Sequence, residues 1–365
     1  MKVFLFADKI PPQVGGMETH ALYFAQSFSK TDDLTVISKK NDDDIVVDNI
    51  FEHPRHLDLF EFLKEFSTEK CLVFFNSGRW IEQLNAIRKA LPRAVFFYRT
   101  GGNEIEKAPL SITMGSHRAR QDYWAKTINE NVDRLISNSS FTTKRLIRQG
   151  VAPSIISIVR GGICPEAVFK AVKNGKAFRN SLGLGTEEKM LVCCCRFVPY
   201  KRVDFLLNAF SLLTLPARLY LVGDGPLMEQ TRQHAEELLL KNVCFVGRCS
   251  HEKSLEYISA ADVYCQASSD LVVKVDGGEY IHTEGMGRSL IEAICCGTRV
   301  CVTGAGAVDE YIHEENGMVV EGGEAEFAAG IEKVLGMPGI PLEKSLEYIR
   351  AFDFERIFDL YRALM

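Results

Sequence analysis

Short apolar runs alternate with longer amphipathic stretches along most of this chain. The first run, Lys2–Ala7, is followed by a glycine-bearing loop and by helical periodicity over Met17–Ser29. Later runs in the first half recur with helical stretches between them, at Leu34–Ser38, Cys71–Phe75, Ala94–Tyr98 and Arg134–Ser137. Strands that alternate with helices form parallel sheets covered by helices on both faces. The first half is therefore predicted to be a doubly wound α/β domain.

The alternation weakens over Gly161–Gly185, where Gly, Pro and Lys interrupt it, and we interpret this interval as the interdomain linker. Further strands are predicted beyond it, at Met190–Cys195, Arg218–Val222, Val243–Val246, Val263–Gln266 and Thr298–Val302. The chain closes with an amphipathic helix over Ala351–Met365. We therefore predict two Rossmann-like domains, 1–163 and 164–350, facing a central cleft, with a C-terminal helix at 351–365.

The composition argues against several classes of protein. The 365 residues are 46% hydrophobic and 25% charged, with a net charge of −5, so the chain lacks the basic excess of a nucleic-acid binder. No apolar stretch approaches bilayer length, and Asp8 interrupts any signal-peptide core, so a cytoplasmic location is expected. The 11 cysteines cluster in apolar runs, which argues against disulfides and zinc.

Two cations follow the predicted strand Met190–Cys195. Arg196 and Lys201 lie five positions apart at a strand end, where they could clamp a diphosphate, although surface cations are more often simply solvated. The next strand ends in Val222-Gly-Asp-Gly-Pro226, which alone indicates only a tight turn.

A more specific pattern is Glu284-Gly-Met-Gly-Arg-Ser-Leu-Ile-Glu292, a glycine loop that runs into a helix. The start of a helix suits an anion, and two carboxylates beside it could accept hydrogen bonds from sugar hydroxyls. Taken singly, Glu292 could instead complement the helix dipole and Glu284 could be an ordinary loop carboxylate.

These motifs, in their order along the chain, resemble the retaining glycosyltransferases of family 4, which have the two-Rossmann GT-B fold. The resemblance is carried by Gly15-Gly16-Met17-Glu18, Arg196 and Lys201, Val222–Pro226, Val246-Gly247, Ala261-Asp262-Val263 and Glu284-x7-Glu292-Ala293. It covers nearly the whole chain and is most specific in the C-terminal half. It also implies that the C-terminal helix packs back on the first domain.

The resemblance assigns roles to individual residues. Arg196 and Lys201 match the diphosphate-binding pair, Glu292 the residue that binds the ribose, and Glu284 the residue that meets the donor sugar. Gly285, Met286 and Gly287 match the loop whose amides approach sugar and phosphate, Cys249 the stretch that borders the base, and Gly16 the glycine near the diphosphate. With Arg196, Lys201 and Glu284 as the catalytic set, the resemblance implies transfer without a metal or other cofactor.

The sequence also departs from the family pattern. Cys195 replaces a glycine before the clamp arginine, and no histidine follows the fourth strand of the first domain. The residues at this place are candidates for binding the acceptor, or they form a polar glycine loop without a role; they are Arg99, Thr100, Asn103 and Glu104. An insertion over Asp270–Thr283 precedes Glu284 and could be a substrate lid or a tolerated surface loop.

The sequence thus predicts a retaining glycosyltransferase that takes its sugar from a nucleotide-diphosphate donor, with UDP expected from family frequency. The acceptor would be a glycan, a lipid-linked glycan or a small molecule. A sugar-nucleotide epimerase or hydrolase on the same fold, and a non-catalytic nucleotide-sugar-binding partner, remain alternatives. Scattered cations at Arg118, Arg120, Lys126, Lys144, Arg145 and Arg148 suggest peripheral contact with an anionic membrane, unless they are merely solvated.

Overall fold

The computed structural model describes residues 1–8, 16–41, 44–48, 59–76, 78–101, 116–185, 187–275 and 278–365. The chain divides into two compact units. Unit 1 consists of Met1–Gly162, Val272–Ile281 and Phe354–Met365, and unit 2 of Ile163–Leu271 and His282–Asp353. Among the described residues, no helix has the length and apolar character needed to cross a membrane.

The first seven strands of the chain form one sheet in unit 1, in the order β3-β2-β1-β4-β5-β6-β7, parallel except for β3, which pairs antiparallel with β2. They are β1 (Lys2–Ala7), β2 (Asp33–Asn41), β3 (Asp44–Asp48), β4 (Cys71–Phe75), β5 (Val95–Arg99), β6 (Arg134–Ser137) and β7 (Ile156–Ile158). The helices between them are α1 (Gly16–Phe28), α2 (Leu59–Lys64), α3 (Ile81–Ala90), α4 (His117–Asn131) and α5 (Ser140–Arg148). The sequence order reverses between β1 and β4, which makes this the topological switch point of the sheet.

The final helix of the chain, α13 (Phe354–Ala363), belongs to unit 1. Its apolar residues share one core cluster with Phe24 and Phe28 of α1 and with Phe74 of β4. The members contributed by α13 are Phe354, Ile357, Phe358 and Tyr361. The helix begins at Phe354, three residues later than the sequence pattern indicates, because Leu342–Phe352 forms a separate helix, α12, in unit 2.

Unit 2 contains a parallel sheet in the order β10-β9-β8-β11-β14-β15. Its strands are β8 (Lys189–Cys194), β9 (Ala217–Val222), β10 (Val243–Gly247), β11 (Val263–Gln266), β14 (Arg299–Thr303) and β15 (Gly317–Val320). With α12, its helices are α6 (Pro165–Ser181), α7 (Val203–Ser211), α8 (Met228–Glu237), α9 (His251–Ala260), α10 (Arg288–Cys295) and α11 (Glu324–Leu335). The switch point lies between β8 and β11. The prediction of two doubly wound α/β domains is confirmed.

The prediction of a linker over 161–185 is wrong for most of its length. Residues 165–181 form helix α6, which packs against α9. Gly175 in the middle of α6 permits this close approach, because a Cβ there would lie 3.0 Å from the carbonyl oxygen of Ser259 on α9. The glycine that suggested a break is therefore a packing position within a helix.

The insertion ahead of Glu284 contains a two-stranded sheet formed by β12 (Leu271–Val275) and β13 (Gly278–His282). Residues 272–281 cluster with unit 1 rather than with the flanking chain. The guanidinium of Arg145 on α5 donates a hydrogen bond of 2.7 Å to the carbonyl oxygen of Ile281, and the His117 ring of α4 lies 6.0 Å from that of Tyr280. These contacts give the insertion a defined place on unit 1.

Candidate active site

The predicted cation loop follows β8 directly. Cys194 ends the strand, Arg196 lies in the loop, and Lys201 ends a short 3-10 turn. The glycine turn after β9 packs against this loop, since the amide of Phe197 donates a 3.0 Å hydrogen bond to the carbonyl oxygen of Asp224. Gly223, at φ +129°, has no room for a Cβ beside the carbonyl oxygen of Cys195. The glycine motif thus shapes the loop that carries the cations.

Lys201 and Glu284 form an ion pair in which Lys201 is buried and Glu284 is half-buried. The Lys201 Nζ contacts Glu284 Oε2, and the Ser268 hydroxyl donates to the same oxygen at 3.4 Å. Burial opposes the charged form of Lys201, but the adjacent Glu284 carboxylate outweighs it and raises the Lys201 pKa. Because Lys201 follows β8 while Ser268 and Glu284 follow β11, the pair stands at the switch point of the unit 2 sheet.

The backbone around Glu284 is fixed by the segment after β14. The amide of Ala307 donates to the Glu284 carbonyl oxygen at 3.1 Å, and Gly306, at φ +58°, approaches that oxygen too closely to carry a side chain. The Asp270 carboxylate accepts a 3.0 Å hydrogen bond from the Gly306 amide and a second from the Thr283 hydroxyl. The loop that presents Glu284 is therefore held from both sides.

Helix α10 begins beside the end of β8. Gly287 precedes it in a left-handed conformation, φ +74°, and offers no side chain to cap the first turn. The Ser289 hydroxyl donates to the Cys194 carbonyl oxygen at 2.9 Å and lies 2.7 Å from the Tyr264 hydroxyl. These bonds anchor the start of α10, with its positive dipole end, where the cation loop leaves the sheet.

Glu292, one turn further along α10, is buried between two basic side chains. Its Oε1 lies 2.7 Å from His251 Nε2 and 3.0 Å from Arg288 Nε. Burial alone would favour the neutral acid, but Arg288 and His251 outweigh it and lower the Glu292 pKa. Sequence reasoning missed both basic residues. The i, i+4 spacing of Arg288 and Glu292 could have revealed the first, whereas His251 lies 41 positions from Glu292.

The remaining predicted residues of unit 2 lie around this cluster. Arg196 is exposed and forms no ion pair with any residue in the described part of the chain. Gly285 is half-buried and Met286 is buried in the loop before α10. Cys249, after β10, has its Sγ 3.3 Å from the Ser254 hydroxyl. The structure thus brings Lys201 and Glu284 into contact and leaves the Arg196 side chain exposed.

The predicted residues of unit 1 share the carboxyl edge of its sheet. Gly16 begins α1, and Arg99 and Thr100 follow one another at the end of β5. Arg99 and Thr100 are buried, and the Thr100 amide donates to the Ile136 carbonyl oxygen at 3.1 Å. Gly15, Asn103 and Glu104 lie outside the described residues.

Comparison with known proteins finds glycosyltransferases among the similar sequences and structures. Residues 175–351 match the family model for group 1 glycosyl transferases. The fold matches the GT-B structures of HepE from Anabaena in complex with UDP (TM-score 0.74, 17% identity, 100% and 99% of the two chains) and of sucrose-phosphate synthase from Thermosynechococcus elongatus (TM-score 0.70, 21% identity, 100% and 98%). The match to the family model covers just under half of the chain, and the fold of the chain is the GT-B fold of these structures.

Among its relatives is the GDP-mannose-dependent monoacylated alpha-(1-6)-phosphatidylinositol monomannoside mannosyltransferase of Corynebacterium glutamicum, 23% identical in an alignment of 344 residues that covers 89% of this chain and 86% of the relative. Another is the D-inositol 3-phosphate glycosyltransferase of Mycobacterium ulcerans, 28% identical in an alignment of 245 residues that covers 63% of this chain and 49% of the relative. The prediction of a glycosyltransferase is confirmed.

Proposed function

We propose that the chain transfers a sugar from a nucleotide-diphosphate sugar to an acceptor hydroxyl, with retention of anomeric configuration and without a metal ion. One observation carries this proposal. Half-buried Glu284 and buried Glu292 of unit 2 are each contacted through one oxygen only, Glu284 by Lys201 and Ser268 at Oε2 and Glu292 by His251 and Arg288 at Oε1. The other oxygen of each accepts no hydrogen bond from a described residue. Two carboxylate oxygens are therefore available to accept hydrogen bonds from neutral hydroxyls.

The two free oxygens suit two different parts of the donor. Glu292, whose pKa is lowered, is ionised at neutral pH and can accept from the ribose hydroxyls. Glu284 can accept from a hydroxyl of the transferred sugar through Oε1, while its other oxygen holds Lys201 in place. In such a donor a diphosphate joins the ribose to the transferred sugar. The start of α10 lies between Glu284 and Glu292 along the chain, which is the order expected if it binds that diphosphate.

Departure of the nucleotide diphosphate is the step that these residues would accelerate. Negative charge grows on the leaving phosphate as the bond to the sugar breaks. Lys201 is charged because its pKa is raised, and its ammonium has two further N–H groups besides the one directed at Glu284. Arg196 is exposed and can turn its guanidinium towards the same oxygens. Fixed positive charge at this point stabilises the transition state more than the bound donor.

The remaining specificity is proposed from resemblance and from relatives. Family frequency favours UDP, and HepE is known in complex with UDP, whereas the Corynebacterium relative uses GDP-mannose. The acceptor hydroxyl would belong to a glycan, a lipid-linked glycan or a small molecule. Inositol derivatives enter as acceptor candidates through the two relatives named above.

The decisive experiment incubates the purified chain with UDP- and GDP-sugars and a panel of acceptors, with EDTA in a parallel series. NMR of the product reports the anomeric configuration. We expect transfer with retention in both series, and loss of transfer in Glu284→Gln. Transfer with inversion would refute the retaining assignment. Release of free sugar at the same rate with and without acceptor would establish a hydrolase instead.

A further inference from the structure

Two cysteines of unit 2 bring their sulfur atoms together at the carboxyl end of β8. Cys193 lies in the last turn of the pleat, Cys195 follows the strand directly, and their Sγ atoms are 3.8 Å apart. Both are free thiols in the structure. Successive side chains of a strand point to opposite faces, so Cys194 points away from this pair. The run of three cysteines therefore contains one pair of adjacent thiols.

The two thiols differ in burial and in acidity. Cys193 is 2% exposed, whereas Cys195 is half-buried. The hydrogen bond that Cys193 donates to Cys195 lowers the Cys195 pKa, and the Lys201 ammonium lowers it further. Burial and Glu284 oppose this shift without outweighing it. The same hydrogen bond, together with burial, raises the pKa of Cys193. Cys195 is thus the thiol that ionises more readily and is open to an oxidant, with a second thiol held beside it.

The backbone limits how stable a bond between the two sulfurs can be. Residues two apart in a strand have Cα atoms about 6.6 Å apart, close to the upper end of the range that disulfides span, about 6.8 Å. A disulfide between Cys193 and Cys195 therefore forms only with a shift of the chain at Cys195. A bond made under such strain is easily reduced, which is typical of regulatory disulfides and not of structural ones.

A shift at Cys195 would reach the cation loop at once. The Cys195 amide donates to the Val222 carbonyl oxygen at 3.0 Å, and Gly223 packs so closely on the Cys195 carbonyl oxygen that no Cβ fits there. Arg196 is the next residue along the chain. The position that would move is therefore the one where the glycine turn supports the loop that carries Arg196 and Lys201.

We propose that Cys193 and Cys195 are a site of reversible oxidation by a hydroperoxide, and that the disulfide formed there weakens donor binding. The Cys195 thiolate attacks one oxygen of the hydroperoxide and breaks the O–O bond, which leaves a sulfenic acid on Cys195. The other oxygen departs as an alcohol, or as water from hydrogen peroxide, after taking a proton from solvent. The Cys193 sulfur then bonds to the sulfenic sulfur, and the displaced hydroxide leaves with the Cys193 proton as water.

The two thiols together lose two electrons, and the hydroperoxide gains them. A thiol reductant reverses the reaction by thiol–disulfide exchange. The effect on the donor rests on the proposed function, in which Arg196 and Lys201 bind the leaving diphosphate. The oxidation itself does not depend on that function.

Peptide mapping of the full chain tests the disulfide. The reduced protein is treated with hydrogen peroxide, unfolded, alkylated with iodoacetamide and digested with trypsin, which releases Met190–Arg196 with all three cysteines of the run. We expect this peptide to carry one alkyl group, on Cys194, and to carry three after treatment with dithiothreitol. Three alkyl groups after peroxide, added oxygen without a disulfide, or pairing of Cys195 with a cysteine outside the peptide would each overturn the proposal.

Calorimetry with UDP and GDP tests the consequence for the donor. Oxidation should weaken binding of the nucleotide that the reduced wild type prefers by at least about 10-fold, which corresponds to the loss of one charge-assisted hydrogen bond, and dithiothreitol should restore it. Cys195→Gly, which places the glycine of the family pattern at this position, should have the same affinity before and after peroxide. The matched control is Cys244→Ala, which removes a half-buried thiol of β10 and should respond to peroxide as the wild type does.

The two measurements separate this proposal from the proposed function. An unchanged nucleotide affinity in protein shown to carry the disulfide would overturn the effect on the donor, as would an undiminished response to peroxide in Cys195→Gly. Failure of the reduced wild type to bind either nucleotide would refute the proposed function instead. The peptide map would still decide whether Cys193 and Cys195 form the disulfide.

Discussion

The Lys201–Glu284 pair makes a strong prediction about stability as well as catalysis. Their side chains are 9% and 12% exposed, so water screens their attraction little. At an effective dielectric constant of about 20, two charges about 4 Å apart attract by ~4 kcal/mol. Removing one partner leaves the other charged and buried, which typically costs ~3–5 kcal/mol. We therefore expect Glu284→Gln and Lys201→Met each to lose that much, and the double variant to lose far less than the sum.

Urea unfolding followed by far-UV circular dichroism measures these losses, and a double-mutant cycle gives the coupling energy. Tryptophan fluorescence provides an internal reference, because both tryptophans belong to unit 1 while the pair belongs to unit 2. The matched control is Glu347→Gln in α12, which breaks the exposed Lys344–Glu347 pair and should leave the free energy of unfolding unchanged within experimental error. Single losses that add within ~0.5 kcal/mol in the double variant would show that the two charges are not coupled, and would refute the reasoning.

The same pair predicts opposite pH dependences. In the wild type the pKa of Lys201 is raised, so its contribution to stability is fully present below the ordinary pKa of 10.5 and is lost as the pH rises through the folded-state value. In Glu284→Gln, burial acts on Lys201 without the opposing carboxylate and lowers its pKa. Stability should then increase as the pH rises through that lowered pKa. Parallel alkaline pH profiles for the two proteins would contradict this prediction.

Four further outcomes are expected. Arg196→Ala and Lys201→Ala should each lower kcat by about 100-fold. Arg196→Ala should leave the Tm unchanged, because this side chain is exposed and forms no ion pair in the described structure. Wild-type rates in either variant would show that the two cations do not stabilise the leaving diphosphate. EDTA should leave turnover intact, and loss that is restored by Mg²⁺ or Mn²⁺ would overturn metal independence. Arg288→Met should raise the pKa of Glu292. As the pH is lowered, the affinity for UDP or GDP measured by calorimetry should then begin to fall at a higher pH than in the wild type. An unchanged pH profile would show that Arg288 does not affect donor binding through Glu292. Gly306→Ala should cost about 1–3 kcal/mol in urea unfolding and also reduce turnover, because its Cβ would overlap the Glu284 carbonyl oxygen, and full activity would show that the loop tolerates displacement.

Central strands were predictable from the sequence, whereas of the edge strands of the two large sheets only β10 was predicted. The predicted bounds of Lys2–Ala7, Cys71–Phe75, Arg134–Ser137 and Val263–Gln266 are the observed ones. These strands have neighbours on both sides and helices over both faces, so they read as unbroken apolar runs. The edge strands β3, β7 and β15 were missed. In β7, for example, no residue is fully buried, so its apolar pattern is weak.

The sequence indicated which residues belong to the candidate site but not which of them are in contact. Glu284 and Lys201 could be named from their motifs, yet nothing local indicates that side chains 83 positions apart would meet. His251 was missed for the same reason, since only the packing of α9 beside α10 places it against Glu292. The error at Gly175 has a related origin, because the preference for glycine there comes from Ser259 on another helix and not from the local backbone.

The division of the chain into units has a consequence for synthesis on the ribosome. Unit 1 contains the first residues of the chain and also the last twelve, Phe354–Met365. Until α13 emerges, Phe24, Phe28 and Phe74 lack the apolar partners that complete their core cluster. The domain that is translated first is therefore the last to be completed, and its nascent form exposes an aromatic surface while all of unit 2 is being made. Removal of α13 should accordingly damage unit 1 before unit 2.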